Sequence, residues 1–446
     1  TVLNMRHSFA SLVACAAVTI GLPANGADLV SVYRAALEHD SLLAEARAKR
    51  AAAEEKITQG RASLLPNIAL SGHTTYTRVR VENHKSSLTN HWDFNGYGYA
   101  LTLTQPLFHW QHWLGYDQSK LTVAQAEAAL GNAKQDLILR STQAYFDVLQ
   151  AAENLKAAES LKSSVFGQLD IATRAFAIGT GIKTDVHDAQ TRYELASSQV
   201  IAAQTELELR KRVLESIMGA SSQHLTKRLD GVTLAPPQPN DLSKWLEAAE
   251  QGNLAVQQQR LMVEVARREV DRQRAGHLPT LNLVATVGRS STLNSGAREI
   301  SDDEKIGLQL NVPIFEGYAV SSRSAEAAAN HSATQHALET VRRGAVLSTQ
   351  QAYLGVINGL SQIRTLQAAY QAAQSAVISN KDAFDVGVRL NVDVLNAQSQ
   401  AFNTYRELNR ARVDTLMAQL KLKAAVGSLG EDDVIAVNSL LNPNTH

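Results

Sequence analysis

The chain has 446 residues, and its 43 basic and 43 acidic side chains give a formal net charge of zero. Only 19% of the residues are charged and 5% are aromatic, and there is no basic tract, so a nucleic-acid partner is disfavoured. No nucleophile motif, phosphate-binding loop or paired-carboxylate site occurs. The sequence therefore predicts neither an enzyme nor a bound cofactor or metal.

The N-terminal segment has the pattern of an export signal. A basic start at 5–7 is followed by an apolar run at 9–22 and by small residues that suit cleavage, which predicts a signal peptide over 1–26. The apolar run is too short to cross a bilayer, which disfavours a membrane anchor. The one cysteine, Cys15, lies inside it, so the mature chain is expected to lack disulfides. Residues 12–15 also fit a lipoprotein cleavage motif, so lipidation of Cys15 stays an alternative.

A helix is predicted over 28–63, and it is followed by a segment in which apolar residues alternate with polar ones. The alternation is loose over 68–76 and strict over 97–104. It predicts a β-hairpin over 67–106 with strands of roughly ten residues, the length that a transmembrane strand needs. The polar loop at 83–95 is expected at the exposed tip of this hairpin.

The Pro-free run 107–235 predicts long helices, because proline breaks helix interiors. Apolar and mostly small residues recur there at spacings of three and four, a pattern typical of closely packed coiled coils. A break at Gly179-Thr180-Gly181 divides the run, so we predict a long helical hairpin over 111–218. Its first arm, 111–178, would be about 100 Å long at 1.5 Å per residue.

The same half-protein occurs a second time, about 208 residues further along the chain. The block at 175–179 returns at 383–387, and the Leu-Pro pair at 65–66 returns at 278–279, which predicts an internal twofold repeat. The predicted organisation is a first repeat over 27–235, a linker over 236–240, a second repeat over 241–430 and a C-terminal tail over 431–446. The second repeat is expected to contain a helix over 242–275, a β-hairpin over 280–313 with an exposed loop at 289–304, and a long helical hairpin over 318–427.

Four strands in one chain cannot form a closed barrel, and an open sheet edge is not tolerated in lipid. Several copies must therefore combine, and three copies would give twelve strands with an open lumen. Trp110, Trp113 and Tyr318 fall where the strands lead into the helices. These rings are expected either to form an aromatic belt at the membrane interface or to cap a protein core at the junction.

Several of these motifs resemble those of one protein family. The two Leu-Pro strand entries, the strand exits at 105–108 and 312–315, and the block from Gly387 to Gln398 resemble the TolC family of outer-membrane export ducts, over about 28–430. The resemblance implies an α+β membrane protein that forms a homotrimer. Its twelve-stranded β-barrel would lie in the outer membrane of a Gram-negative bacterium, above a periplasmic α-barrel of long coiled-coil hairpins. It also implies docking to an inner-membrane transporter through a periplasmic adaptor protein.

The same resemblance implies a gate at the periplasmic mouth, formed by the turns of the helical hairpins. Asp393 matches the family's first acidic constriction residue and Arg389 its basic residue, whereas Asn396 replaces the second acid. Phe384 stands where the family has a tyrosine that donates a hydrogen bond. These departures predict weaker blockage by polyvalent cations and a different closing network.

Other residues near the turns have more than one interpretation. Asp185 and Asp188 in the first repeat are candidates for restoring the missing charge, but an acid at a helix start is also favoured by the helix dipole. Gly179, Gly181 and Gly387, together with Phe384, are expected at the hairpin tips and as adaptor contacts. His109 and His112 lie three residues apart, yet a metal pair without a third ligand is disfavoured against a surface or belt role.

We therefore predict the outer-membrane channel of a tripartite export system, passing either proteins by type I secretion or small molecules by efflux. The alternative is a soluble periplasmic coiled-coil scaffold. The strict alternation in the strand segments argues against that alternative, because it is the pattern of membrane β-strands. The exported substrate, the transporter and the adaptor leave no signal in this sequence.

Overall fold

A computed structural model describes residues 28–82, 89–219, 227–228, 234–294 and 297–443. The predicted signal peptide and Cys15 lie outside these residues. The helices are α1 (Leu29–His39), α2 (Ser41–Ala62), α3 (Trp110–Ala177), α4 (Lys183–Met218), α5 (Leu242–Gly252), α6 (Leu254–Arg274), α7 (Ala319–Asp385), α8 (Asn391–Ala425) and α9 (Glu431–Leu440). The strands are β1 (Asn67–Glu82), β2 (Thr89–Phe108), β3 (Lys227–Arg228), β4 (Thr280–Asn294), β5 (Ala297–Asn311) and β6 (Asn442–Pro443). Residues 236–240 belong to no helix or strand.

The main sheet is antiparallel, with the strand order β1-β2-β4-β5. Its strands have 15 to 20 residues, so the prediction of ten-residue strands was wrong. Of the loops predicted at 83–95 and 289–304, residues 89–95, 289–294 and 297–304 are strand instead, and residues 83–88, 295 and 296 lie outside the described residues. Opposite charges face each other across these extensions, as in the pair Arg289–Asp302 at 2.7 Å, and such cross-strand pairs stabilise a ladder in polar sequence.

The register divides the helix-proximal half of the sheet into two unlike faces, because residues directly opposite in a ladder share a face. We call one the apolar face; it carries Ile68, Leu70, Tyr99, Leu101, Val287, Ile306, Leu308 and Leu310, which are all exposed. The other, the polar face, carries Ser71, His73, Thr102, Thr104, Thr286, Gln309 and Asn311. An exposed apolar face opposite a polar face is what a sheet between lipid and water requires.

Two predicted helices are each broken in two. The helix expected over 28–63 is interrupted at Asp40, and the one expected over 242–275 is interrupted at Asn253. Both side chains cap the helix that follows them: Asp40 accepts from the backbone N–H of Leu43, and Asn253 from that of Val256. A capping side chain satisfies a free N–H at a helix start, so it favours a break at that position.

The long helices form a four-helix layer whose members change along its length. Near the sheet the neighbours run α2-α3-α6-α7, and further away they run α4-α3-α8-α7. The end of α4 therefore meets the α1–α2 break. Gly219 lies there with φ +67°, and a Cβ on it would be 2.6 Å from the Cβ of His39, so the two helices approach as closely as glycine allows. No described helix has the length and apolar character to cross a membrane.

A hydrophobic core lies where α4 and α8 replace α2 and α6 in the helical layer. It includes buried residues of α1, α3, α4, α8 and α9. Tyr145 and Phe146 are its largest fully buried side chains. The segment predicted as a tail, 431–446, contributes α9, whose Val434 and Val437 are buried in this core. Asn438 fastens α9 to the start of α1, because its Nδ2 donates to Asp28 Oδ2 at 2.9 Å.

Candidate functional site

The turn that ends the first helical hairpin is repeated by the second. Gly179 has φ +79°, and the backbone N–H of Thr180 donates to Ala175 O at 3.0 Å. In the second turn Gly387 also has φ +79°, and the equivalent bond reaches Ala383 O at 2.8 Å. A positive φ favours glycine strongly, so both glycines are required by the turn itself.

Gly181 differs from these two glycines. Its φ lies outside the left-handed region, and Arg389 occupies the equivalent position of the second turn. The second turn therefore holds a side chain at this point, whereas a Cβ on Gly181 would lie 3.0 Å from the backbone N of Phe176. Phe384 is half-buried beside the second turn, whereas Val386, which follows Asp385, is 74% exposed.

The acids predicted for the gate lie at the starts of α4 and α8. Asp393 is in the first turn of α8, and its Oδ2 lies 3.6 Å from Nη1 of Arg389. Both side chains are partly exposed, so this ion pair contributes little to stability. Asp185 takes the same place in α4 and is half-buried, while Asp188, one turn later, is exposed.

Asn396, where the resemblance leads one to expect an acid, has a partner in the other hairpin. Nη2 of Arg192 on α4 donates to Asn396 Oδ1 on α8 at 2.8 Å. Sequence reasoning missed Arg192, although it lies one helical turn after Asp188 and so on the same side of α4. The structure thus brings together Arg389 with Asp393, and Arg192 with Asn396.

A second contact between the hairpins lies further from the tips. The hydroxyl of Tyr405 on α8 donates to Glu153 Oε2 on α3 at 3.0 Å, and the rings of Tyr405 and Tyr370 are 5.2 Å apart. Phe384 has no hydroxyl, so it cannot supply the tyrosine bond that the resemblance implies. The described contacts between hairpins therefore include one near the gate acids and one higher up α3.

The layer of long helices has a polar side opposite the hydrophobic core. Tyr145 and Val148 of α3 face the core, whereas Asp147, nearly half a turn away on α3, lines an open groove of about 830 Å³. Asp147 Oδ2 lies 3.1 Å from Nη1 of Arg210 on α4 within this groove. The other residues that line it are mainly polar or charged, and they include Gln143, Gln150, Asn154, Asn403, Glu407 and Asp414. This side of the helical layer suits contact with water.

Large aromatic residues surround the junction between sheet and helices. Trp110 and Trp113 begin α3 and are each about half exposed, and Tyr318 precedes α7 with 76% exposure. His109 and His112 stack face to face with ring centroids 3.5 Å apart. In the described part of the chain no three His, Cys, Asp or Glu side chains group as a metal site.

The sequence profile described as outer membrane efflux protein matches residues 32–220 and again 245–428. The chain belongs to this family. It is 31% identical to the proteases secretion protein PrtF of Dickeya chrysanthemi, over 93% of this chain and 91% of that protein. It is 30% identical to the outer membrane protein TolC of Escherichia coli, over 93% and 85%.

Solved structures share the fold at lower identity. The outer membrane channel CmeC of Campylobacter jejuni superposes with a TM-score of 0.78 at 18% identity, covering 92% of this chain and 89% of that one. The outer membrane protein VceC of Vibrio cholerae superposes with 0.75 at 18% identity, covering 90% and 96%. The predicted family and the predicted outer-membrane localisation are confirmed, and the soluble scaffold is not favoured. The family has the role of a channel rather than that of a catalyst.

Proposed function

We propose that this chain is the outer-membrane channel of a tripartite export system, assembled as a homotrimer from an internal twofold repeat. Three copies would form a twelve-stranded β-barrel and, below it, a periplasmic α-barrel of twelve helices. The order of two helices, two strands and two long helices occurs once in 29–218 and again in 242–425, which supports the repeat. The two matches of the family profile support it as well.

The unpaired edges of the main sheet are the observation that supports this proposal. β1 and β5 each have a neighbour on one side, while the apolar face between them is exposed over all four strands. A sheet with free edges is not viable in lipid, so an edge such as β5 must pair with β1 of another copy. By the repeat, that junction would resemble the pairing of β2 with β4 inside the chain. Three copies are the smallest number that leaves a lumen.

The hairpin tips are proposed as the periplasmic mouth. Asp393, Asn396, Arg389, Asp185 and Asp188 would then surround the narrowest point. The turns around Gly179, Gly181, Phe384 and Gly387 would contact a periplasmic adaptor, which connects the channel to an ABC or other inner-membrane transporter. Trp110, Trp113 and Tyr318 would lie at the boundary of the outer-membrane lipid, where aromatic rings are favoured. No nucleic acid and no cofactor take part.

Protein export is the substrate class that we place first. Two relatives that match along most of this chain are described as protease secretion proteins, PrtF of Dickeya chrysanthemi and AprF of Pseudomonas aeruginosa. Small-molecule efflux is the second candidate, because the family is described as outer membrane efflux proteins. One duct can serve both, since a passive channel need not recognise what it passes.

Fractionation and reconstitution test the proposal together. The protein should be recovered in the outer-membrane fraction. The purified protein should have the mass of a trimer in native mass spectrometry and should conduct ions in planar bilayers. Deletion of the gene should abolish export of a protein substrate encoded beside it, and a plasmid copy should restore export. Recovery in the soluble periplasm, or a purified trimer without conductance, would contradict the channel assignment.

A further inference from the structure

In the half of the β1–β2 hairpin that is distant from the helices, the apolar face becomes charged and the polar face becomes apolar. Beyond Tyr76, the strand positions that continue the apolar face carry charge, with Arg78 Nε 3.0 Å from Asp93 Oδ1 and Arg80 Nε 3.0 Å from His91 Nε2. The positions that continue the polar face become large and apolar there. They are Val79, Phe94 and Trp92.

These three side chains, called the cluster below, are neighbours on one face of the hairpin. Val79 lies directly opposite Trp92 in the ladder, and Phe94 is two residues further along the same face. All three are half-buried, whereas His91 and Asp93 on the other face are exposed. The ring of Phe94 lies over Gly96, because a Cβ on that glycine would be 3.2 Å from Phe94 Cε1. The ring of Phe94 therefore packs over the backbone of Gly96.

The strand register indicates whether the cluster faces the lumen or the outside of the barrel. Leu70 and Leu101 are opposite each other on the apolar face, and Arg78 and Asp93 follow on that same face. If Leu70 and Leu101 contact lipid, the charged pair points outward above the membrane, where water surrounds the barrel. Trp92 and Phe94 must then point towards the lumen. The 16 residues of β1 span about 54 Å at 3.4 Å each, or about 40 Å along the axis of a barrel whose strands tilt by about 40°. This exceeds the hydrocarbon thickness of about 30 Å, so the cluster lies near the outer mouth.

We propose that Val79, Trp92 and Phe94 form an apolar constriction at the extracellular mouth, where they limit which solutes enter from outside. This inference rests on the proposed trimeric barrel, in which three copies would bring three tryptophans and three phenylalanines around one axis. Bulky side chains that point into a lumen reduce its free diameter, so they hinder large solutes more than small ions.

The second hairpin does not repeat this cluster. By the repeat, the positions that correspond to Val79, Trp92 and Phe94 are Thr292, Glu299 and Ser301, and all three are polar or charged. Apolar and polar sectors would therefore alternate around the mouth. Small ions pass through the polar sectors, whereas bulky solutes meet the aromatic rings.

Access of thiol reagents from outside tests the constriction. A reporter cysteine, Thr286→Cys in a Cys15→Ser background, lies deeper in the lumen on the polar face, where Thr286 Oγ1 is 3.4 Å from Thr102 Oγ1. Intact cells are treated with a small maleimide or with a bulky polyethylene-glycol maleimide. The double variant Trp92→Ser/Phe94→Ser should accelerate labelling by the bulky reagent about tenfold and leave the small reagent unchanged.

The matched control is His91→Ser/Asn95→Ser, which alters the other face of the same strand and should leave both rates unchanged. Equal bulky-reagent rates with and without the aromatic rings would overturn the constriction. Failure of the small reagent to reach the reporter in every variant would instead contradict the barrel itself. Should the double variant lose the trimer in native mass spectrometry, the single variant Val79→Ser provides the same comparison.

Discussion

Nη2 of Arg192 donates to Oδ1 of Asn396 across 2.8 Å, and this bond joins α4 of the first helical hairpin to α8 of the second. The neighbouring pair Arg389–Asp393 stays within the second hairpin. Separation of the two hairpins would break the first contact and leave the second intact. Arg192 therefore couples the two hairpins of one chain near the predicted gate, beside an apolar cluster in which Leu395 of α8 packs with Ala172 and Ala189 of the first hairpin.

We expect Arg192→Gln to loosen the closed mouth. Loss of a charged hydrogen bond that is partly exposed costs about 1 kcal/mol, which would raise the population of separated hairpins roughly fivefold. Single-channel recordings should show more frequent or longer openings. Arg174→Gln is the matched control, because Arg174 pairs with Asp170 within α3 and links no second hairpin. Identical recordings for both variants would contradict the coupling role.

Asn396→Asp should make the mouth bind polyvalent cations more tightly. The change places a second carboxylate one helical turn after Asp393, and two like charges around a cation add to its attraction. We expect the blocking concentration of a trivalent cation to fall about tenfold in bilayer recordings, equivalent to about 1.4 kcal/mol. The double variant Arg192→Gln/Asn396→Asp should be blocked at still lower concentration, because Arg192 neutralises part of the new charge. Equal blockage of the single variant and the unmodified channel would contradict this account.

The sequence predicted the regular parts of the fold for physical reasons. A period of two or of 3.6 persists along strands and long helices, so the β-hairpins and the helical hairpins were evident. The breaks at Asp40 and Asn253 were missed, because a capping residue resembles any other polar residue of an amphipathic helix. The strand extensions were missed because a cross-strand pair such as Arg289–Asp302 becomes visible only once the register is known.

The candidate site shows a similar limit. Turn glycines could be predicted from local sequence, since the left-handed conformation of Gly179 and Gly387 depends on neighbours within a few residues. The partner of Asn396 could not, because Arg192 is 204 residues away along the chain. Contacts between hairpins depend on helix rotation, which the heptad pattern of small residues leaves loosely specified.

The apolar face of the sheet yields a prediction with an adjacent control. Leu308 belongs to this face and is 66% exposed, whereas its neighbour Gln309 belongs to the polar face. An arginine on a lipid-facing strand near the bilayer midplane costs about 2–4 kcal/mol. We expect Leu308→Arg to reduce the yield of trimer in outer-membrane fractions severalfold and Gln309→Arg to leave it near normal. Equal yields would show that this face does not contact lipid.

The contacts at the break between α1 and α2 predict that the folded helices lose stability at acid pH. Asp40 is buried, and Arg140 on α3 donates to its two carboxyl oxygens at 2.8 and 3.0 Å. The hydrogen bonds from Arg140 hold the pKa of Asp40 below its usual value. A lowered folded-state pKa means that this stabilisation is complete above the unfolded pKa, near 4, and is lost as the pH falls through the folded pKa.

We therefore expect Asp40→Asn to lower the stability of the folded helices by about 1.5–3 kcal/mol at pH 7 and to flatten the loss of stability below about pH 4. Thermal unfolding of detergent-solubilised protein, followed by circular dichroism at several pH values, measures both effects. Asn253→Asp is the inverse control at the equivalent break, where Asn253 Nδ2 donates to Ala425 O at 2.8 Å. A carboxylate there loses that donor and faces a carbonyl, so this variant should be less stable at pH 7 and recover on acidification. Parallel pH profiles for the two variants would contradict the assigned role of Arg140.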